Sequence, residues 1–81
     1  MKYIIIKELN LEFAVLFNEC LTHVSMAGNN NVISAGFCSL NPDNDFREEI
    51  KATVWGSSVT LKKSSRLEDE EIIERSIKFR G

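Results

Sequence analysis

The densest run of side chains able to hold a ligand is Lys62-Lys63-Ser64-Ser65-Arg66. Two ammonium groups, two hydroxyls and a guanidinium stand just ahead of an acidic, periodic stretch that reads as a helix. Unpaired amides and the positive dipole end at a helix start favour anions, and Ser64, Ser65 and Arg66 add donors suited to phosphate. Ser57 and Ser58, beside the break expected at Gly56, bring two more hydroxyls toward the same ligand. The same residues also have a structural use, in which Ser65 caps its own helix and the lysines keep a strand edge solvated. Glu68, Asp69, Glu70 and Glu71 follow at once and compete for the positive helix end.

Two aromatic side chains extend this candidate site. His23 is expected at the flank of a helix, partly exposed, with Thr22 and Ser25 near it. Trp55 projects opposite Val54, so it is either an exposed contact for a base, ribose or partner, or a core residue if the register slips at Gly56. In Ser34-Ala35-Gly36 one side of a strand has little bulk, and a packed helix, a ligand or a second subunit fits there.

Catalytic patterns are missing. There is no GxSxG elbow, no aspartate-oriented histidine and no phosphate-binding glycine loop. With one histidine and two cysteines, Cys20 and Cys38, the chain offers no zinc ligand set. Both cysteines are expected as reduced core residues. The reading is therefore non-enzymatic, with no cofactor and no metal.

These side chains are positioned by a β-β-α-β-β-α order. Lys2–Lys7 and Glu12–Phe17 read as a hairpin around Glu8–Leu11, although Phe13–Phe17 also suits a helix start. Asn18 is expected to cap a helix over Glu19–Ala27 that buries Cys20, Leu21, Val24 and Ala27 on one face. Gly28–Asn31 ends it. Val32–Ser39 is a third strand, Asn41–Asp45 a loop, and Glu49–Trp55 a fourth strand continued beyond Gly56 by Val59 and Leu61. Ser65 and Glu68 form a capping-box pattern ahead of a closing helix, Arg66 to about Phe79, that buries Ile72, Ile73, Ile77 and Phe79. The expected fold is α+β, an antiparallel sheet of about four strands with two helices packed on one face. The other face would then be bare, with Tyr3 or Ile5 and Trp55 on it, and would favour self-association.

Eighty-one residues make a single domain, 1–81, with a modest core, and oligomerisation is a common supplement at this size. An apolar share of 43% with 27% charge is globular composition. A net charge of −2 argues against general nucleic-acid binding. The apolar run Tyr3–Ile6 is too short for a leader or membrane span, so the expected location is cytoplasmic with no membrane partner.

Ser34-Ala35-Gly36-Phe37, then Gly56-Ser57-Ser58-Val59-Thr60-Leu61, then Ser65-Arg66-x-x-Asp69 resemble a group of small accessory proteins of tailed phages and prophages. That group's pattern is a SAGF-like strand, a GxSxSL segment and an SRxxD helix start, and this chain carries Thr60 in place of the second serine. His23 resembles a histidine ahead of the SAGF strand in that group. The resemblance covers about residues 13–73 and implies a setting more than a mechanism, with action on host defence in the host cytoplasm. Two functions follow as expectations. One is binding of a phosphorylated small molecule, a nucleotide signal, by a homo-oligomer through Arg66, Ser65, Ser64, Ser57, Ser58, His23 and Trp55. The other is anti-CRISPR-like inhibition of a host defence protein through the acidic face of Glu68, Asp69, Glu70, Glu71 and Glu74.

Overall fold

The structure, a computed structural model, describes residues 1–42 and 50–78. Strands β1 (Lys2–Glu8) and β2 (Leu11–Phe17) form the expected hairpin, closed by Leu9 in a left-handed conformation, φ 56°. After helix α1 (His23–Ala27), β3 (Val32–Pro42) pairs with β1, and β4 (Ile50–Trp55) pairs with β3. The result is a four-stranded antiparallel sheet in the order β2-β1-β3-β4. A two-stranded ribbon, β5 (Ser57–Ser58) with β6 (Lys63–Ser64), leads to helix α2 (Glu68–Lys78). The α+β class is therefore observed. Among the described residues no helix is long and apolar enough to cross a membrane.

The helices lie on opposite faces, which corrects the expected one-sided arrangement. Tyr3, Ile5, Ala14, Cys38 and Ala52 pack with Ile72 and Ile73 of α2. Ile4, Ile6, Phe17, Val32 and Ala35 pack with Ala27 of α1, and Met26 and Leu61 lie against them. The cause is visible in β1, where Tyr3-Ile4-Ile5-Ile6 is apolar without alternation. Such a run suits a central strand covered on both sides. Tyr3 and Ile5, expected on a bare face, are wholly buried.

Several boundaries also differ. Asn18 closes a turn instead of starting a helix: its carbonyl accepts the Leu21 amide at 3.0 Å and its Oδ1 the Cys20 amide at 2.9 Å. Thr22 is the N-cap, its Oγ1 accepting the Ser25 amide at 3.1 Å. The delayed start leaves Cys20, Leu21 and Val24 exposed, where a longer helix would have buried them. In β3 the register shifts opposite Ile5 and Ile6, which pair with Ser34 and Val32. This bulge at Ile33 puts Val32 on the same face as Ala35, where strict alternation along the strand would put them on opposite faces. Strand β3 also runs on through Asn41 and Pro42, expected as loop. The rest of that loop, the strand start at Glu49 and the burial of Phe79 lie outside the described residues.

Candidate functional site

The antiparallel register places one residue from each strand in a row across the α1 face: Phe17 (β2), Lys2 (β1), Phe37 (β3) and Trp55 (β4). His23 sits over this row, edge-on to Phe17 at 5.5 Å and to Phe37 at 5.8 Å between ring centroids. It is 6% exposed, against the expected flank position, because the helix starts at His23 itself and turns the ring inward. Its Nε2 lies 2.8 Å from the Gly36 carbonyl. A carbonyl only accepts, so Nε2 carries the hydrogen. Trp55 stacks on Phe37 at 6.4 Å and remains 48% exposed, so the tryptophan lies on the α1 face at the edge of the sheet.

Gly56 then reverses the chain in a left-handed conformation, φ 77°, against the ring of Phe37. The reversal ends β4 where the sequence suggested continuation. Val59 is left 86% exposed at the tip of the ribbon, while Leu61 reaches the α1-side core. The ribbon and α1 enclose a groove of about 350 Å³ whose polar lining is Lys2, Thr22, Ser57, Ser58 and Thr60, with Phe37 and His23 as aromatic wall. The Lys2 ammonium donates to the Leu21 carbonyl at 2.9 Å, which holds it at this site. Ser58 is buried, its Oγ accepting the Leu61 amide at 3.4 Å. Three residues singled out from sequence, His23, Ser57 and Ser58, thus meet here, and Trp55 borders them through Phe37. Lys2 was missed, because nothing in a first strand's opening residue announces that register will set it beside Phe37.

The other three expected site residues lie elsewhere. Ser64 pairs with Ser57 in the ribbon ladder, outside the groove lining. Ser65 donates its amide to the Gly56 carbonyl at 3.0 Å and packs over Gly36, where an added Cβ would stand 3.2 Å from its own Cβ and 2.6 Å from the Trp55 carbonyl oxygen. The small side of Ser34-Ala35-Gly36 is therefore filled by the chain itself. Helix α2 begins beyond Ser65, and its capping contact joins Arg66 to Asp69: the Asp69 Oδ2 accepts the Arg66 amide at 3.0 Å. The anion at this helix start is the protein's own carboxylate.

Asp69 is fully buried and satisfied from four directions. It accepts the Tyr3 hydroxyl at 2.6 Å, the Ser34 hydroxyl at 2.9 Å, the Arg66 Nε at 2.9 Å and the Arg66 amide at 3.0 Å, and the Arg66 Nη2 adds an ion pair at 2.8 Å. Arg66 also meets Glu12 at 3.2 Å and Glu68 at 3.6 Å. Desolvation opposes its charge, but the hydrogen bonds to Glu12 and Asp69 prevail and raise its pKa above the ordinary value. Burial, reinforced by the bond to Asp69, likewise drives the Tyr3 phenol far above its usual range. Arg66 is thus surrounded by carboxylates. The acidic face of α2 is also partly committed, since Glu70 and Glu74 accept the Val54 and Ala52 amides at 3.1 and 2.8 Å. Comparison with protein-family models, curated proteins and solved structures finds no match to this chain.

Proposed function

We propose that this chain is a binding protein, not an enzyme, and holds a small phosphorylated molecule of nucleotide type in the groove between α1 and the β5–β6 ribbon. The observation that carries the reading is the meeting there of the Lys2 ammonium, the hydroxyls of Thr22, Ser57 and Thr60, and the aromatic wall of Phe37. An ammonium has three donors, and Leu21 takes one, so two are left for phosphate oxygens. Phe37 and Trp55 offer π-surface to a base. A volume of about 350 Å³ falls within the range of small-molecule sites. His23, the only histidine, has its Nε2 bound to a carbonyl, which supports a packing role over proton transfer. The setting proposed with it, a phage-encoded accessory protein acting on host defence as a homo-oligomer in the host cytoplasm, rests on the motif resemblance. Inhibition through the acidic face has less support, because Glu70 and Glu74 are spent on β4 and Asp69 is buried.

The test is calorimetric titration of the full chain with AMP, ATP, a cyclic dinucleotide and inorganic phosphate. At least one nucleotide should saturate the protein, with affinity that falls as salt rises. Lys2→Ala should weaken it about tenfold or more, the effect of losing a charge-assisted hydrogen bond. Ser64→Ala, outside the groove, should leave it unchanged. No binding across the panel, or equal binding by Lys2→Ala, would remove the proposal.

A further inference from the structure

In an antiparallel edge strand, alternate residues turn their amides away from the sheet. On β4 the outward amides of Ala52 and Val54 are both covered, by the carboxylates of Glu74 and Glu70. On β2 the Ala14 amide meets the Ser76 hydroxyl at 3.1 Å, which sets Glu12 and Leu16 as the neighbouring outward positions. Among the described residues neither of those two amides has a hydrogen-bond partner. A hollow adjoins each of these two residues. One of about 610 Å³ is lined by Glu12 with Leu11, Phe13 and Arg75, and one of about 510 Å³ by Leu16 with Met1 and Phe17. Among the described residues one edge of the sheet is therefore closed and the other is open.

The open edge is also the one least protected by its sequence. Leu11–Phe17 reads L-E-F-A-V-L-F, with one charge, and that charge is already paired with Arg66 at 3.2 Å. An apolar edge strand without lysine, proline or a bulge is a template for a further strand. We infer that β2 is a docking edge and that its occupant is the β2 strand of a second copy of this chain, antiparallel about a two-fold axis at Ala14. In that register the Glu12 amide donates to the carbonyl of the partner's Leu16, and the Leu16 amide to the carbonyl of the partner's Glu12. The register sets Phe13 opposite Val15, an aromatic and β-branched pair of the kind that stabilises ladders, and Leu11 opposite Phe17. It brings no like charges together, covers Leu11, which is 65% exposed, and places the smallest side chain of the strand on the axis. The Ser76 hydroxyl, which bonds the Ile72 carbonyl at 2.8 Å, has to turn away from Ala14 to admit the partner strand. The inference is independent of the ligand reading.

The deciding experiment is native mass spectrometry of the full chain on serial dilution, with residue-resolved amide hydrogen exchange on the same samples. A dimer is expected, with the Glu12 and Leu16 amides protected in it and exposed on dilution. Leu16→Pro removes one outward donor at a position where an edge strand tolerates proline, and should be monomeric with an unchanged far-ultraviolet spectrum. If that variant does not fold, the exchange pattern of the unaltered chain still decides. A monomer at every concentration, or a dimer whose Glu12 and Leu16 amides exchange freely, would overturn the inference. So would protection that survives dilution and disappears on deletion of residues 79–81, which would assign the edge to the chain's own terminus.

Discussion

Asp69 shows how much of the polar interior can depend on one side chain. Its two oxygens receive Tyr3, Ser34 and Arg66, so the Arg66-x-x-Asp69 pattern ties the start of α2 to both central strands. Asp69→Ala would leave the buried Tyr3 and Ser34 hydroxyls without their acceptor, while Arg66 would keep Glu12 and Glu68. The expected cost is about 2–5 kcal/mol, about 1–3 for each stranded hydroxyl, read from urea denaturation. Tyr3 makes the same contact visible through pH. Its phenol is raised when folded and ordinary, about 10, when unfolded. The stability it contributes is therefore intact below about pH 10 and declines above it, as the unfolded chain loses a proton the folded one retains. As Tyr3 is the only tyrosine, tyrosinate absorbance should rise together with alkaline unfolding and not before it. The residues of this cluster were legible as a motif. Their use was not, because sequence spacing displays Arg66 beside Asp69 but cannot display Tyr3, Ser34 and Glu12 converging on them.

At the level of elements, the β5–β6 ribbon is the part that shapes the groove, and Gly36 is what lets it approach. A methyl group there would stand 2.6 Å from the Trp55 carbonyl oxygen, a backbone atom with little room to yield. Gly36→Ala should cost roughly 1–3 kcal/mol. Because Trp55 is the only tryptophan, its fluorescence should report the ribbon lifting from Phe37 during the same thermal melt. An unchanged melting curve would mean that the ribbon does not depend on this contact. Gly36 could be read as a place of close approach, and it is; at Gly56 the sequence suggested a break with the strand continuing, and the chain reverses instead. The five-residue α1 was harder to read, since Asn18 and Thr22 are both good caps and only packing of His23 and Ala27 against the sheet chooses between them.

At the scale of the whole molecule, helix α2 shields more than a face. Glu70 and Glu74 close the β4 edge while Ser76 touches β2 at its centre alone, so among the described residues the sheet is left open at β2. What the sequence determined by itself was local: the strand runs, the hairpin, the second helix and the α+β class follow from periodicity, caps and turn residues within a few positions of one another. The sheet order, the division of the helices between two faces, the burial of His23 and Asp69, and the meeting of Lys2 with Ser57 were decided by tertiary structure. Each depends on which strands pair and in what register, and a single bulge at Ile33 redirects a strand's side chains. Register is settled by the joint packing of distant residues, and no window of the sequence contains all of them.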